Sequence, residues 1–334
     1  MSSLIDELRR VERIVSPHAD VSIADDNQGL MLWISGLQDL GVSTNEAIED
    51  VCARVPSDDV FSEIWLDGIH DEGIRQIFRR PRNRLATLSL KGSSISGNGT
   101  AFALERSPNL DTLLVEDVGR YINTMCRAVA CCPKLSYLNL KCAACNDDDL
   151  AELPQLENFQ VLEMNCPRVS DWETLSQRYS KLIRLGVNSG CVTDSAVRAI
   201  SGIENLESLA LVCPDVSSVG IVELRRLSSL RLLSLESAEV DGPALQQLAG
   251  IQSLDWVKFI NMTLGQPHFT AVGCWPTVTE LVLHKVTLDD CSWQKCAELL
   301  RNLKKLRVRQ SNVRFEDEHK MKEILGDERV AVTR

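Results

Sequence analysis

The chain has no run of about 18 consecutive apolar residues, the length a membrane-crossing helix needs, so none of its 334 residues reads as part of a transmembrane span. Aromatic content is low, at 5%, and cations are outnumbered: 36 Lys and Arg against 47 Asp and Glu give a net charge of −11. Non-specific nucleic-acid binding and attachment to an anionic membrane both require a positive field. Both are therefore disfavoured. The opening MSSLIDELRRVERIV lacks the unbroken apolar core of a secretory leader and is too acidic for an organelle transit peptide. No P-loop or dinucleotide fingerprint occurs. The five histidines, His18, His70, His268, His284 and His319, are scattered; only His284 is expected on an open strand face, with no Ser or Cys nucleophile sharing its outward register nearby, so no catalytic triad is expected.

Cysteine, by contrast, is plentiful. Twelve thiols without a leader read as reduced side chains in the cytoplasm or nucleus rather than as a disulfide framework. The sequons at Asn98 and Asn261 then carry no glycan. Cys142-Ala-Ala-Cys145 has the spacing of half a zinc site, but no second pair or nearby histidine completes four ligands. SISGNGT (94–100) is glycine-rich and reads as a turn rather than a phosphate cradle, and Asp147-Asp148-Asp149 reads as the start of a helix.

The dominant feature is a repeat. An apolar residue followed by apolar positions at +3 and +5 recurs from Leu37, Phe61, Leu85, Leu110, Leu135, Phe159, Leu182, Leu206, Leu230, Leu254, Val278 and Leu303, at intervals of 23 to 25 residues. A further apolar mark falls at +10, as at Ile95, Cys145, Val169, Val192, Val216 and Val240. Small or acidic residues suited to helix N-caps follow it, as in Val192-Thr193-Asp194. Helical spacing comes next, at Val197, Ile200 and Ile203. Each unit is thus a short strand, a turn and a short helix, and it can bury its apolar side only against neighbours. The unit at Leu110 places Arg120 at its +10 position, so that turn is expected to depart from the pattern.

This L-x-x-L-x-L grammar, with GCVTDSAVRAI (190–200) as its best example, resembles the leucine-rich repeat superfamily, and within it the cysteine-containing, ribonuclease-inhibitor-like branch. The resemblance implies an α/β fold: a curved solenoid of about 12–13 rungs, with a parallel concave β-sheet and outer helices. Residues 1–36 would form an N-terminal helical cap built on Leu4, Leu8, Val11 and Val15 and extended through Leu30, Ile34 and Leu37. Residues 37–314 would form the solenoid. Residues 315–334 would supply a cap helix (315–325) and a closing strand with Val330 and Val332 in the core.

Alternation along a strand sends +3 and +5 inward and +2, +4 and +6 outward. The early outward set includes Asp39, Glu63, Trp65, Asp67 and Glu116. The late set combines an apolar cluster, Leu232, Trp256, Ile260 and Val282, with a basic ridge of Lys258, His284, Lys305, Arg307 and Arg309. Exposed contiguous apolar surface marks interaction sites, so these nine residues are the candidate partner-binding face. The alternative is that Trp256 packs beneath the C-terminal cap and Arg307 is merely solvated. The leading expectation is a non-catalytic protein-interaction scaffold with no metal, cofactor or small-molecule substrate. The resemblance also leaves room for a substrate-recognition subunit of a ubiquitin ligase, a small-GTPase regulator, or a structural subunit of a cytoskeletal or ribonucleoprotein assembly.

Overall fold

A computed structural model of the protein describes residues 20–25, 30–35, 59–188 and 192–333. The chain divides into two compact units, Met1–Arg168 and Val169–Arg334. Each is an α/β array in which strands alternate with short helices.

In the first unit β1 (Asp20–Asp25) pairs antiparallel with β2 (Leu30–Ser35). From β2 onward the pairing is parallel: β3 (Phe61–Asp67), β4 (Thr87–Lys91), β5 (Thr112–Glu116), β6 (Tyr137–Lys141) and β7 (Val161–Asn165). Helices α1 (Asp71–Ile77), α2 (Gly97–Leu104), α3 (Ile122–Ala128) and α4 (Asp147–Ala151) lie between them in sequence.

The second unit follows the same plan. Its strands are β8 (Arg184–Asn188), β9 (Ser208–Val212), β10 (Leu232–Glu236), β11 (Trp256–Ile260), β13 (Glu280–His284), β15 (Lys305–Arg309) and β16 (Val330–Thr333), all parallel. The two-residue strands β12 (Thr263–Leu264) and β14 (Thr287–Leu288) pair with each other. Its helices are α5 (Trp172–Arg178), α6 (Asp194–Ile200), α7 (Ser218–Glu223), α8 (Gly242–Gln247), α9 (Gln266–Gly273), α10 (Trp293–Leu299) and α11 (Phe315–Leu325).

The repeat positions behave as their spacing requires. From Phe61 to Leu303 every first-position residue is buried, and so are the +3 and +5 pairs, from Ile64 and Leu66 to Leu306 and Val308. Val330 and Val332 pair with Leu306 and Val308 in β16. The N-caps also follow: Asp171, Thr193 and Asp241 begin α5, α6 and α8. Where Arg120 breaks the pattern, Tyr121 occupies the N-cap in the left-handed region (φ 58°) without a side-chain cap, while Val118 and Ile122 fill the core on either side.

Two expectations at the N-terminal end need correction. The rung beside β3 is Leu30–Ser35 rather than a strand begun at Leu37, because Leu32 and Ile34 pair with Ile64 and Leu66. Leu30 and Ile34, read as helical from their spacing, are strand residues. The segment LMLWIS offers a two-residue alternation equally well, and an open sheet edge at β3 selects the extended form. Leu4, Leu8, Val11, Val15, Leu37 and Asp39 lie outside the described residues.

Two further ties between rungs are side-chain devices. Asn109, Asn158, Asn205 and Asn302, each one residue ahead of a first-position apolar residue, donate Nδ2 to a carbonyl one repeat back, at 2.9, 3.4, 3.1 and 3.2 Å. The glycine-rich SISGNGT is a turn only as far as Ser96, which caps α2, and residues 97–100 are that helix's first residues; its N-terminal end already holds an anion. Asp71 accepts from the Ser96 amide (2.8 Å) and hydroxyl (2.5 Å), and a Cβ on Gly99 would sit 2.2 Å from its Oδ1.

Candidate functional site

Three side chains per strand, at +2, +4 and +6, form the open face of the sheet, away from the helices. A left-handed residue follows many of these strands: Gly68, Gly92, Asp117, Ser237, Asn261, Lys285 and Gln310 all have positive φ. Each donates its N–H to the carbonyl at +6 of the next strand, as Lys285 does to Arg309 (2.9 Å) and Asn261 to His284 (2.9 Å). The turn therefore continues the ladder and fixes the rim of the open face.

In the second unit the parallel register stacks the nine candidate residues in columns. Leu232, Trp256, Glu280 and Lys305 form the +2 column; Ser234, Lys258, Val282 and Arg307 the +4 column; Glu236, Ile260, His284 and Arg309 the +6 column. All nine face the open side, but they are not equal. Leu232 is 43% exposed beside half-buried Trp256 and is the accessible apolar pair. Val282 is only 4% exposed, because Lys258 and Arg307 are its register neighbours and their aliphatic stems can cover it. It serves as floor, not contact surface, which corrects its placement in an exposed cluster.

The basic ridge is also uneven. Arg307 Nε lies 2.7 Å from Glu280 Oε1, an ion pair without the geometry of a hydrogen bond. Among the described residues, Lys258, Lys285, Lys305 and Arg309 form no ion pair. Burial, followed by Lys258, Lys285 and Arg309, lowers the pKa of His284 below the ordinary histidine value, against an opposing pull from Glu236. Lys285 was absent from the sequence map because it follows the strand rather than lying in it; its left-handed φ of 53° sets it on the rim.

The first unit carries an open-face feature that the repeat alone did not reveal. Trp33, 47% exposed, is register partner of Trp65; their rings stack at 6.1 Å between centroids and 27° between planes. Trp65 Nε1 donates to Glu63 Oε2 (3.1 Å). Beside them the small side chain of Ser89 opens a depression of about 330 Å³, bounded by Leu114 and Asn139. Its edge is a column of alternating charge, Asp67, Lys91, Glu116 and Lys141, in which Glu116 receives both lysines at 3.2 and 3.6 Å. The Lys91 and Lys141 ammonium groups hold the Glu116 carboxyl below its usual pKa although burial opposes them. Trp33 was missed because its segment was read as helical.

Cys142 and Cys145 are both fully buried, as is Cys126, and Cys166 Sγ donates to the Leu140 carbonyl (3.4 Å). Burial pushes the Cys132, Cys142 and Cys213 thiols up to about 12. Among the described residues no group of three or more His, Cys, Asp or Glu is placed to hold a metal ion. Asn146 caps α4 in a reciprocal box with Asp149, so the acidic run continues a cap begun one residue earlier. His268 is tied on both ring nitrogens, accepting from the Gly265 amide (2.9 Å) and meeting the Val240 carbonyl at 2.7 Å. No helix among the described residues is long and apolar enough to cross a membrane.

No protein-family model and no curated protein matches the chain. Among solved structures it is similar to one titled as the Rad7 and Elc1 complex in yeast, at 18% identity, covering 76% of each chain, with a TM-score of 0.47. It is also similar to an internalin, InlF, from Listeria monocytogenes, at 12% identity, covering 87% of this chain and 88% of that one, again with a TM-score of 0.47. These likenesses concern the fold.

Proposed function

We propose that the chain is a non-catalytic scaffold that recognises a protein partner on the open face of its second unit, through Leu232, Trp256, Lys258, Ile260, His284, Lys305 and Arg309. The observation that carries this reading is exposed Leu232 with half-buried Trp256 beside it, next to cations that form no ion pair among the described residues. Exposed apolar side chains next to uncompensated charge are costly to leave bare and favourable to cover. A sheet locked by ladder bonds and asparagine ties is also preformed, which lowers the ordering cost of binding.

The test is affinity capture from native lysate with the wild-type chain and a Trp256→Ala/Lys258→Glu variant, after circular dichroism has established that the variant is folded. Selective loss of one protein in the variant is the expected result. Retention of every captured protein would remove the open face of the second unit from the account.

A further inference from the structure

The open face of β10, β11, β13 and β15 and the turn after β13 carry five cations, Lys258, Lys285, Lys305, Arg307 and Arg309, against two carboxylates, Glu236 and Glu280. Arg307 uses Glu280. The excess of three positive charges sits on a chain whose net charge is −11. It is therefore a local arrangement rather than a reflection of composition. Cations crowd His284 from each packed element: Lys258 on β11, Lys285 on its own turn and Arg309 on β15, with Glu236 on β10 the opposing acid. Like charges held this close destabilise one another unless an anion arrives to share them.

The anion's chemistry follows from the neighbours. Leu232 and Trp256 stand on adjacent rungs beside the cations, and Ile260 lies in the +6 column between Glu236 and His284. A ligand spanning both regions needs carboxylates or similar groups in register with apolar side chains. A nucleic acid fits poorly, since among the described residues this face of the second unit offers only Trp256 and the His284 imidazole for base stacking. At physiological ionic strength the screening length is about 8 Å, so the acidic remainder of the chain opposes a long polyanion more than a short acidic segment.

Resting on the scaffold reading above, we propose that this face takes an acidic, extended protein segment, with its carboxylates on Lys258, Lys285 and Arg309 and an apolar side chain on the Leu232–Trp256 pair. The cations set the sign of the partner, and the apolar pair sets where along the sheet it lies.

The experiment is fluorescence anisotropy on the full chain with three labelled probes: a peptide of about twelve residues of Glu, Ser and Leu, the same peptide with Gln for Glu, and a uridine oligonucleotide of about twelve residues. The expected result is binding of the Glu peptide roughly ten-fold tighter than of the Gln peptide. That binding should weaken roughly ten-fold in a Lys285→Glu/Arg309→Glu variant and again when salt rises from about 50 to about 300 mM. Both substituted side chains are exposed, and circular dichroism checks the variant's fold.

Equal binding of the Gln and Glu peptides, lost in Trp256→Ala, would overturn the acidic assignment while leaving the protein-recognition reading intact. Tighter binding of the oligonucleotide than of either peptide would overturn it in favour of nucleic acid. Failure of all three probes would also overturn it, and the capture experiment would then decide the broader reading on its own.

Discussion

Arg307 Nε lies 2.7 Å from Glu280 Oε1 across the adjacent strands β13 and β15. Of the three cations on β15, Arg307 is thus already committed, while Lys305 and Arg309 form no ion pair among the described residues. Glu280→Gln would release Arg307 and raise the positive excess. Affinity for the acidic peptide should then rise about three-fold, whereas Arg309→Gln should lower it by more than Arg307→Gln does. Titration of the three variants checks this order. An unchanged or weakened affinity in Glu280→Gln would contradict the electrostatic reading of this face.

His284 makes binding and stability respond to pH with opposite signs. Its folded pKa lies below the ordinary histidine value of about 6.5 because of burial and the cations around it. The folded chain thus binds fewer protons than the unfolded one as pH falls through about 6.5. Stability should decline from there down to the folded pKa, and His284→Gln should lessen the decline in denaturation midpoints. An acidic ligand favours the imidazolium, so its affinity should rise over the same window while its own carboxylates stay ionised, and His284→Gln should flatten that rise.

Rung-to-rung anchoring by carboxylates predicts a matched pair of stability losses. Ser217 donates from Oγ to Asp194 Oδ2 (2.6 Å) and from its amide to Asp194 Oδ1 (2.8 Å), repeating the Asp71–Ser96 contact of the first unit. Asp194→Ala should cost about 1 kcal/mol. Gly220→Ala should cost about 1–3 kcal/mol, because a Cβ there would fall 2.4 Å from Asp194 Oδ1. Urea denaturation followed by circular dichroism reads both. A neutral Gly220→Ala would mean that the neighbouring rung yields freely.

Arg82 is fully buried in the first unit, with Nη2 2.6 Å and Nε 3.2 Å from the Ile77 carbonyl and its guanidinium 5.7 Å from the centre of the Phe61 ring. Arg82→Ala removes both the packing and the carbonyl bonds, and should cost about 3 kcal/mol or more. Arg82→Met keeps part of the packing and should cost less. An Ala variant as stable as wild type would refute this role.

Thiol chemistry should divide the cysteines by burial. Cys131 and Cys274 are exposed and should react quickly with a thiol reagent near pH 8. Cys132, Cys142 and Cys213, pushed up to about 12, should react only after unfolding. Peptide mapping after timed labelling checks this, and fast labelling of Cys142 would contradict the packing around it.

The repeat was legible because burial at first, +3 and +5 positions depends on side-chain period, which sequence states directly. Val330 and Val332 could be placed by counting alone. What was illegible depends on competition between conformations. Leu30–Ser35 fits both a helix and a strand, and the edge of β3 decides it. Lys285 belongs to the open face through a left-handed backbone that lysine does not announce, although Gly68 and Gly92 at the same point of the repeat were available clues. Val282 carried the correct register, but its burial, with Lys258 and Arg307 as register neighbours, depends on the adjacent rungs. The asparagine ties precede the strands, one residue ahead of the positions the alignment followed.

The most direct test of the central claim is lysine footprinting of the captured complex by brief acetylation and mass spectrometry. Lys258, Lys285 and Lys305 on the open face are compared with exposed Lys320 on α11. The account predicts that the first three lose reactivity when the partner is bound while Lys320 keeps it. Protection of Lys320 with unchanged Lys258, Lys285 and Lys305 would contradict the account and move the binding surface to the C-terminal helix.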